Sequence, residues 1–306
     1  MNSTKPSLLL VGSVAYDDIH TATEVGERLL GGSASHFSFS ASLVGAHPRV
    51  VAVVGDDFDP ADLARLESAG ADLSGVAHKP GASFRWGGRY SEDFTSRETL
   101  FTELGVFESF EPELPGDFAD EGIVFLANIH PALQASVLDA VHAPRLVALD
   151  TMNLWIENTR PELVAVLPRV DLLFINDEEA RLLAGEPNLV RAGEKILEMG
   201  PRAICLKKGE HGVLLFIDDK VIPLPGYPVR KLVDPTGAGD SFAGGVMGSL
   251  ALSDGLGAEN LRKAALIGSV LGSLSVEGLG VKGLEGRKPE EFSHRLSDFK
   301  ALLGIS

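Results

Sequence analysis

The stretch of this chain whose residue types and spacing best suit chemistry is Val233-Asp234-Pro235-Thr236-Gly237-Ala238-Gly239-Asp240-Ser241-Phe242. An extended arm leads into three small residues that let a ligand approach the backbone closely, then into a helix start whose amides converge at the positive end of the helix. That geometry makes an anion hole. Asp240, in the first helical turn, reaches a hydroxyl group facing the same hole. A carboxylate that orients an alcohol, beside amides that stabilise charge on a phosphate, is what phosphoryl transfer to an alcohol needs. The same residues also spell a Gly-rich turn with an Asp helix cap, a common structural feature. Spacing alone does not choose between the two.

Such a turn has to be carried by a scaffold, and the sequence supplies one. Short apolar, β-branched runs read as strands at Leu8–Val14, Arg49–Val54, Ile123–Leu126, Leu146–Asp150, Leu172–Ile175, Ala203–Leu206 and Val213–Phe216. Helical patterns lie between them at Ser33–Leu43, Asp59–Ser68, Pro131–Val141, Glu178–Leu183 and Leu189–Met199. After Leu232 the pattern is helical, at Gly239–Leu252, Ala258–Val276 and Pro289–Leu303. Alternation of this kind predicts an α/β fold with a mostly parallel sheet covered on both faces. Residues 17–31 and about 81–110 break the rhythm with polar, β-prone text. They are too long for ordinary connections, and a small β lid standing off the main sheet accounts for both. No repeat, low-complexity tract or linker divides the 306 residues, so one domain is expected.

Composition narrows the partners. The net charge of −16 lacks the basic footprint that nucleic acid requires, while leaving room for a small phosphate-bearing ligand held by amides, a few cations and a metal. Cys205, the single cysteine, sits in an apolar run and reads as a buried strand residue, which suits a reducing compartment. The histidines form no pair at ligand spacing, which argues against zinc. The apolar run Leu8–Tyr16 is too short to span a bilayer and lacks the flanks of a signal peptide, so no membrane association and a cytoplasmic location are expected. Asn2-Ser3-Thr4 spells a glycosylation acceptor, which has no meaning without secretion.

The Asp-Pro-Thr-Gly-Ala-Gly-Asp-Ser-Phe segment closely resembles the C-terminal signature of the ribokinase-like, or PfkB-type, carbohydrate and nucleoside kinases, and the resemblance extends over nearly the whole chain. Val11-Gly12-Ser13-Val14-Ala15-Tyr16-Asp17 is similar to the family's first strand and substrate-binding Asp. Gly31-Gly32-Ser33-Ala34-Ser35-His36 is similar to its N-terminal signature, and Val54-Gly55-Asp56-Asp57-Phe58 to the strand and loop that follow. Asn176-Asp177-Glu178-Glu179 fits the Asn-x-x-Glu motif, and Lys207-Lys208-Gly209-Glu210-His211-Gly212 fits the late nucleotide loop.

The resemblance implies a ribokinase-like fold and an ATP-dependent kinase using Mg²⁺. Asp240 would be the catalytic base, with Gly237, Ala238 and Gly239 as the anion hole. Asp17, Gly32, Ser33 and His36 would bind the acceptor, and Asn176, Lys207, Gly209 and Gly212 the nucleotide. Glu179 would hold Mg²⁺ through water, and Asp234 and Thr236 occupy the positions where relatives bind a monovalent cation such as K⁺. Asn128 and Asn153, each just after a strand, join the acceptor candidates on position alone. A homodimer through the lid fits the same resemblance.

Two positions depart from the pattern. Lys207 stands where relatives often carry Thr, and either contacts nucleotide phosphates or is solvated at a strand end. His36 stands where sugar-specific relatives usually carry Asn, with a different reach and protonation. In the lid, Phe84, Trp86 and Tyr90 suit stacking on a base, and Arg85 and Arg89 suit a phosphorylated sugar; for any single one of the five, lid core or solvated lid edge is the favoured reading. A free sugar or sugar-like polyol is placed ahead of a nucleoside as acceptor. A dinucleotide oxidoreductase is disfavoured, because the only Gly-x-Gly-x-x-Gly, at 278–283, follows a helical stretch. A non-catalytic nucleotide-binding module would not need Asp240.

Overall fold

In the computed structural model, which describes residues 6–305, the apolar runs become strands buried on both sides. Chain order begins β1 (Ser7–Val11), β2 (Ala15–His20), β3 (Val25–Gly31), α1 (Ser33–Val44), β4 (His47–Gly55), α2 (Pro60–Ala69), β5 (Asp72–Lys79), β6 (Arg85–Tyr90), β7 (Arg97–Glu103). It continues β8 (Ile123–Leu126), α3 (Pro131–Ala140), β9 (Leu146–Asp150), α4 (Asn153–Asn158), α5 (Arg160–Val166), β10 (Leu172–Asn176), α6 (Asp177–Ala184), α7 (Leu189–Leu197) and β11 (Ala203–Lys207). The last elements are β12 (Val213–Ile217), β13 (Lys220–Leu224), α8 (Ala238–Ala251), α9 (Ala258–Ser275) and α10 (Pro289–Leu302).

Nine strands form the main sheet in the order β13-β12-β11-β10-β9-β8-β1-β4-β5. Those from β11 to β5 run parallel, and β12 and β13 are antiparallel at one edge. Parallel strands need both faces covered. Leu8, Leu10, Phe125 and Phe174 turn to one face, under α1, α8 and α9; Leu9, Val11, Val124 and Leu126 turn to the other, under α3 and α5 to α7. A column of rings, Phe37–Phe125–Phe174–Phe242, crosses the first layer at centroid spacings of 4.5, 5.6 and 6.1 Å. It clamps α8 against the sheet, so the helix carrying Asp240 starts from a fixed position.

The expected first strand, Leu8–Val14, is split. β1 ends at Val11 because the chain crosses at Gly12-Ser13, where a Cβ on Gly12 would come within 2.9 Å of Ala127 and Ser33. The strand resumes as β2 in a second sheet, of order β3-β2-β6-β7. This four-stranded sheet falls on the two segments read as a lid, with two differences of extent. It begins at Ala15, and residues 105–109 form a 3-10 turn whose Val106, with Phe110 just after it, packs into the main core. Edge strands β5 and β13 and helices α4 and α5 were not expected; β5 and β13 are half-exposed and lack a continuous apolar run, as edge strands do. Among the described residues no helix is long and apolar enough to cross a membrane. The Asn2-Ser3-Thr4 tripeptide lies outside the described residues.

Candidate active site

Asp240 is at the third residue of α8, just past Gly237, whose left-handed φ of +70° makes the turn into the helix. Gly237 has a second constraint. A Cβ there would lie 2.3 Å from the His36 ring, so the two elements touch through a position that only glycine fills. Asp240 is pushed up to about 7, first by burial and next by the Asp150 carboxylate, while Lys207 draws it down. Lys207 ends β11 and its ammonium lies 2.8 and 3.1 Å from the carboxylate oxygens of Asp150. Of the two alternatives for Lys207, solvation at a strand end is not what the structure has: the ammonium is a largely buried partner of Asp150.

Asp150 was not singled out from the sequence. Its signal is plain in retrospect, as a carboxylate closing the otherwise apolar strand Leu-Val-Ala-Leu-Asp. Nearby, Asn176 and Glu179 form a reciprocal capping box on α6, each side chain 2.8 Å from the other's backbone N–H. Glu179 is buried rather than solvated, and that burial raises it to about 7, against the pull of Lys207. The Gly209–His211 3-10 turn that follows β11 needs its glycines, with φ +54° at Gly209 and +84° at Gly212.

Asp17, close enough to Asp240 to feel its charge, sits in β2 at 5% exposure. A Cβ on Gly31 would fall 2.0 Å from its carboxylate, so the glycine pair makes room for it. Burial, then the neighbouring Asp234 carboxylate, push Asp17 up to about 7, with the Gly32 N–H opposing and Asp240 and Asp18 adding to the rise. Gly32 caps α1 at φ +86°, where a Cβ would strike the Ser13 carbonyl. His36 is buried with neither ring nitrogen hydrogen-bonded, and burial lowers it to about 4, so it is neutral. An orphaned buried imidazole aimed past Gly237 is an unmet donor and acceptor.

Of the remaining acceptor candidates, two have other partners and one is exposed. The Ser33 hydroxyl is tied to Ser13, whose N–H and hydroxyl are both 3.2 Å away. Asn128 accepts from the Trp155 indole at 2.7 Å and donates to Met152, and Asn153 is exposed at the start of α4. These pairs brace α4, and among the described residues no hydrogen bond links Asn128 or Asn153 to Asp17 or Asp240. Asp234 is wholly buried, accepting from Thr236 N–H at 2.9 Å and Gly280 N–H at 2.8 Å.

The lid residues divide by face. Trp86 and Tyr90 share the inner face with Asp17 and Ile19, and the Tyr90 and Thr236 hydroxyls meet at 2.8 Å, latching the lid to the loop before α8. Arg85 and Arg89 lie on the opposite face, paired with Asp18 and Glu98, so neither is placed to hold a sugar phosphate. Phe84 stacks on Phe107 at the lid joint, at 5.3 Å. Arg97, not singled out from the sequence, lies over the Trp86 ring at 5.1 Å.

Residues 125–285 match the family described as pfkB family carbohydrate kinase. This chain belongs to that family. Its fold is ribokinase-like, and it is a kinase, a phosphotransferase whose acceptor is an alcohol group. It is 29% identical over 246 residues to a cytidine kinase of Thermococcus kodakarensis, covering 78% of this chain and 87% of that protein. An inositol 3-kinase of Oryza sativa subsp. japonica is 27% identical, covering 89% of this chain and 69% of that protein. The solved nucleoside kinase of Methanocaldococcus jannaschii, an archaeal member of the ribokinase family, superposes with a TM-score of 0.78 at 21% identity, covering 97% and 100% of the two chains.

Proposed function

We propose that this kinase moves the γ-phosphoryl group of ATP onto a hydroxyl of a small sugar or sugar-like polyol, with Asp240 as the base. The observation that carries the reading is the placement of a raised carboxylate, Asp240, at the start of α8, between the glycine turn and the Asp17–His36 side of the cleft. Asp240 takes the hydroxyl proton as the acceptor oxygen bonds to the γ-phosphorus, and the bond to the β-phosphate breaks. A base near 7 is matched to transfer at neutral pH. The amides at Gly237, Ala238 and Gly239 stabilise the charge on the moving group. Asp17 accepts from two acceptor hydroxyls, and neutral His36 supplies one further donor and one acceptor.

Among the described residues no three or more His, Cys, Asp or Glu converge as a metal cage. Mg²⁺ fits as a hydrated ion on the nucleotide, since Glu179 keeps one carboxylate oxygen outside its capping box, a hard donor for bound waters. When bound, Mg²⁺ neutralises charge on the β- and γ-phosphates. Asp234 fits a monovalent cation such as K⁺, being a buried carboxylate with no cationic side chain paired to it among the described residues. Gly209 and Gly212 shape the turn that lies against the nucleotide.

A nucleoside acceptor is the second reading. The planar Trp86–Arg97 pair on the lid's inner face favours it, because a base stacks on such a surface, and the T. kodakarensis relative is named a cytidine kinase. A coupled ADP-release assay with Mg²⁺-ATP across free sugars, cyclic polyols, sugar phosphates and nucleosides separates the two. Turnover confined to nucleosides would replace the polyol reading, and turnover with none of them would remove the hydroxyl-kinase reading.

A further inference from the structure

The Lys207–Asp150 pair is more than the sequence motif asks for. Both side chains are withdrawn from solvent, at 17% and 5% exposure. A buried ion pair is weak evidence for stability, because desolvating two charges offsets their attraction and an apolar pair often serves as well. Its position suggests another use. The Lys207 ammonium lies 3.2 Å from where a Cβ on Gly239 would stand, at the second residue of α8 and next to Asp240. An ammonium has three N–H donors, and the two Asp150 oxygens lie together on one side of it, leaving donor capacity for a ligand. Asp150 is itself fixed, accepting from the Thr151 N–H at 2.9 Å, while the Gln134 amide holds its backbone carbonyl at 3.0 Å.

We propose that Lys207 is the cation that stabilises the phosphoryl group in transit, and that Asp150 is the positioning residue that holds it there. As the acceptor oxygen bonds to the γ-phosphorus and the bond to the β-phosphate oxygen breaks, an N–H of Lys207 that Asp150 leaves free meets a non-bridging oxygen beside Gly239. The acceptor proton goes to Asp240 and the leaving charge to the β-phosphate of ADP, so Lys207 keeps its proton throughout. Its place beside the base, rather than in the Gly209–His211 turn, puts it on the travelling group and not on the rest of the nucleotide. The inference rests on the kinase reading above and adds a charged group to the anion hole.

The test compares the unmodified enzyme with Asp150→Asn, which frees the ammonium from its holder, and with the double variant Lys207→Met/Asp150→Asn, which removes the ammonium without stranding a buried carboxylate. The double variant should keep MgADP affinity by calorimetry within about threefold of the unmodified enzyme and lose kcat by roughly 10²–10³-fold, as for loss of one oxyanion donor; kcat of Asp150→Asn should fall between the two. Aluminium fluoride, which mimics the moving phosphoryl group, should tighten MgADP and acceptor binding in the unmodified enzyme but not in the double variant. Should the Met variant not fold, Lys207→Gln combined with the same Asp150→Asn substitution is read the same way. Equal kcat and equal aluminium fluoride tightening in the unmodified enzyme and the double variant would overturn the role of Lys207 while leaving the kinase reading intact, and equal kcat in the unmodified enzyme and Asp150→Asn would overturn the positioning role of Asp150. No transfer by the unmodified enzyme to any acceptor would instead remove the kinase reading, and this role with it.

Discussion

At the residue scale, Asp240 and Asp17 have the same chemistry and are proposed for different tasks. Both are raised to about 7 mainly by burial, but Asp240 lies at a helix start beside Lys207 and Asp17 lies in a strand beside Asp234. Asp240→Asn keeps the shape and removes the proton acceptor, so kcat should fall by roughly 10²–10⁴-fold. Nucleotide binding, measured by calorimetry, should survive; near-normal turnover would take Asp240 out of the mechanism. Asp17→Ala should weaken acceptor binding by about 2–5 kcal/mol, two charged hydrogen bonds discounted for non-additivity. MgADP affinity should hold, since the phosphates are met elsewhere. Equal loss of both ligands would mark Asp17 as structural.

At the scale of elements, the lid and the start of α8 act together. The Tyr90–Thr236 hydroxyl contact joins lid strand β6 to the loop that leads into the anion hole. Tyr90→Phe removes a bond worth about 0.5–1.5 kcal/mol, and the acceptor KM should rise roughly 2- to 10-fold with a smaller change in kcat. Hydrogen exchange in β2, β3, β6 and β7 should slow when acceptor is added; no change at saturation would mean that this sheet does not close on substrate. The central strands and the glycine turn were legible in the sequence, because buried parallel strands read as unbroken apolar runs and a turn at φ +70° demands glycine. Edge strands β5 and β13 were not, since half-exposed strands carry mixed text. Of the candidate site, the residues within motifs are those to which the resemblance points. Asp150 and Arg97 were not legible, because their roles come from partners 57 residues away, in Lys207, and across a β-bulge, in Trp86. Likewise, Asn128 follows a strand as a ligand would, yet its side chain belongs to Trp155.

For the molecule as a whole, the cleft gathers charge at the expense of stability. Asp17, Glu179 and Asp240 rise from ordinary carboxylate values of 3.8, 4.5 and 3.8 to about 7. Between pH 4 and 7 the folded chain therefore binds more protons at these sites than the unfolded chain, and their contribution to stability falls as pH rises through that window. Asp240→Asn should raise the melting temperature at pH 8 by on the order of 5 °C and by much less at pH 4.5; a gain independent of pH would contradict the assignment of its raised carboxyl. Those carboxylates are the groups proposed to serve transfer. The most direct measurement is therefore phosphate movement from γ-labelled ATP with Mg²⁺ to a panel of polyols, sugars and nucleosides, for the unmodified enzyme and Asp240→Asn side by side. The expected result is label appearing on at least one hydroxyl acceptor, and falling by roughly two orders of magnitude or more in the variant. Label transferred equally by both proteins, or by neither to any hydroxyl acceptor, would contradict it.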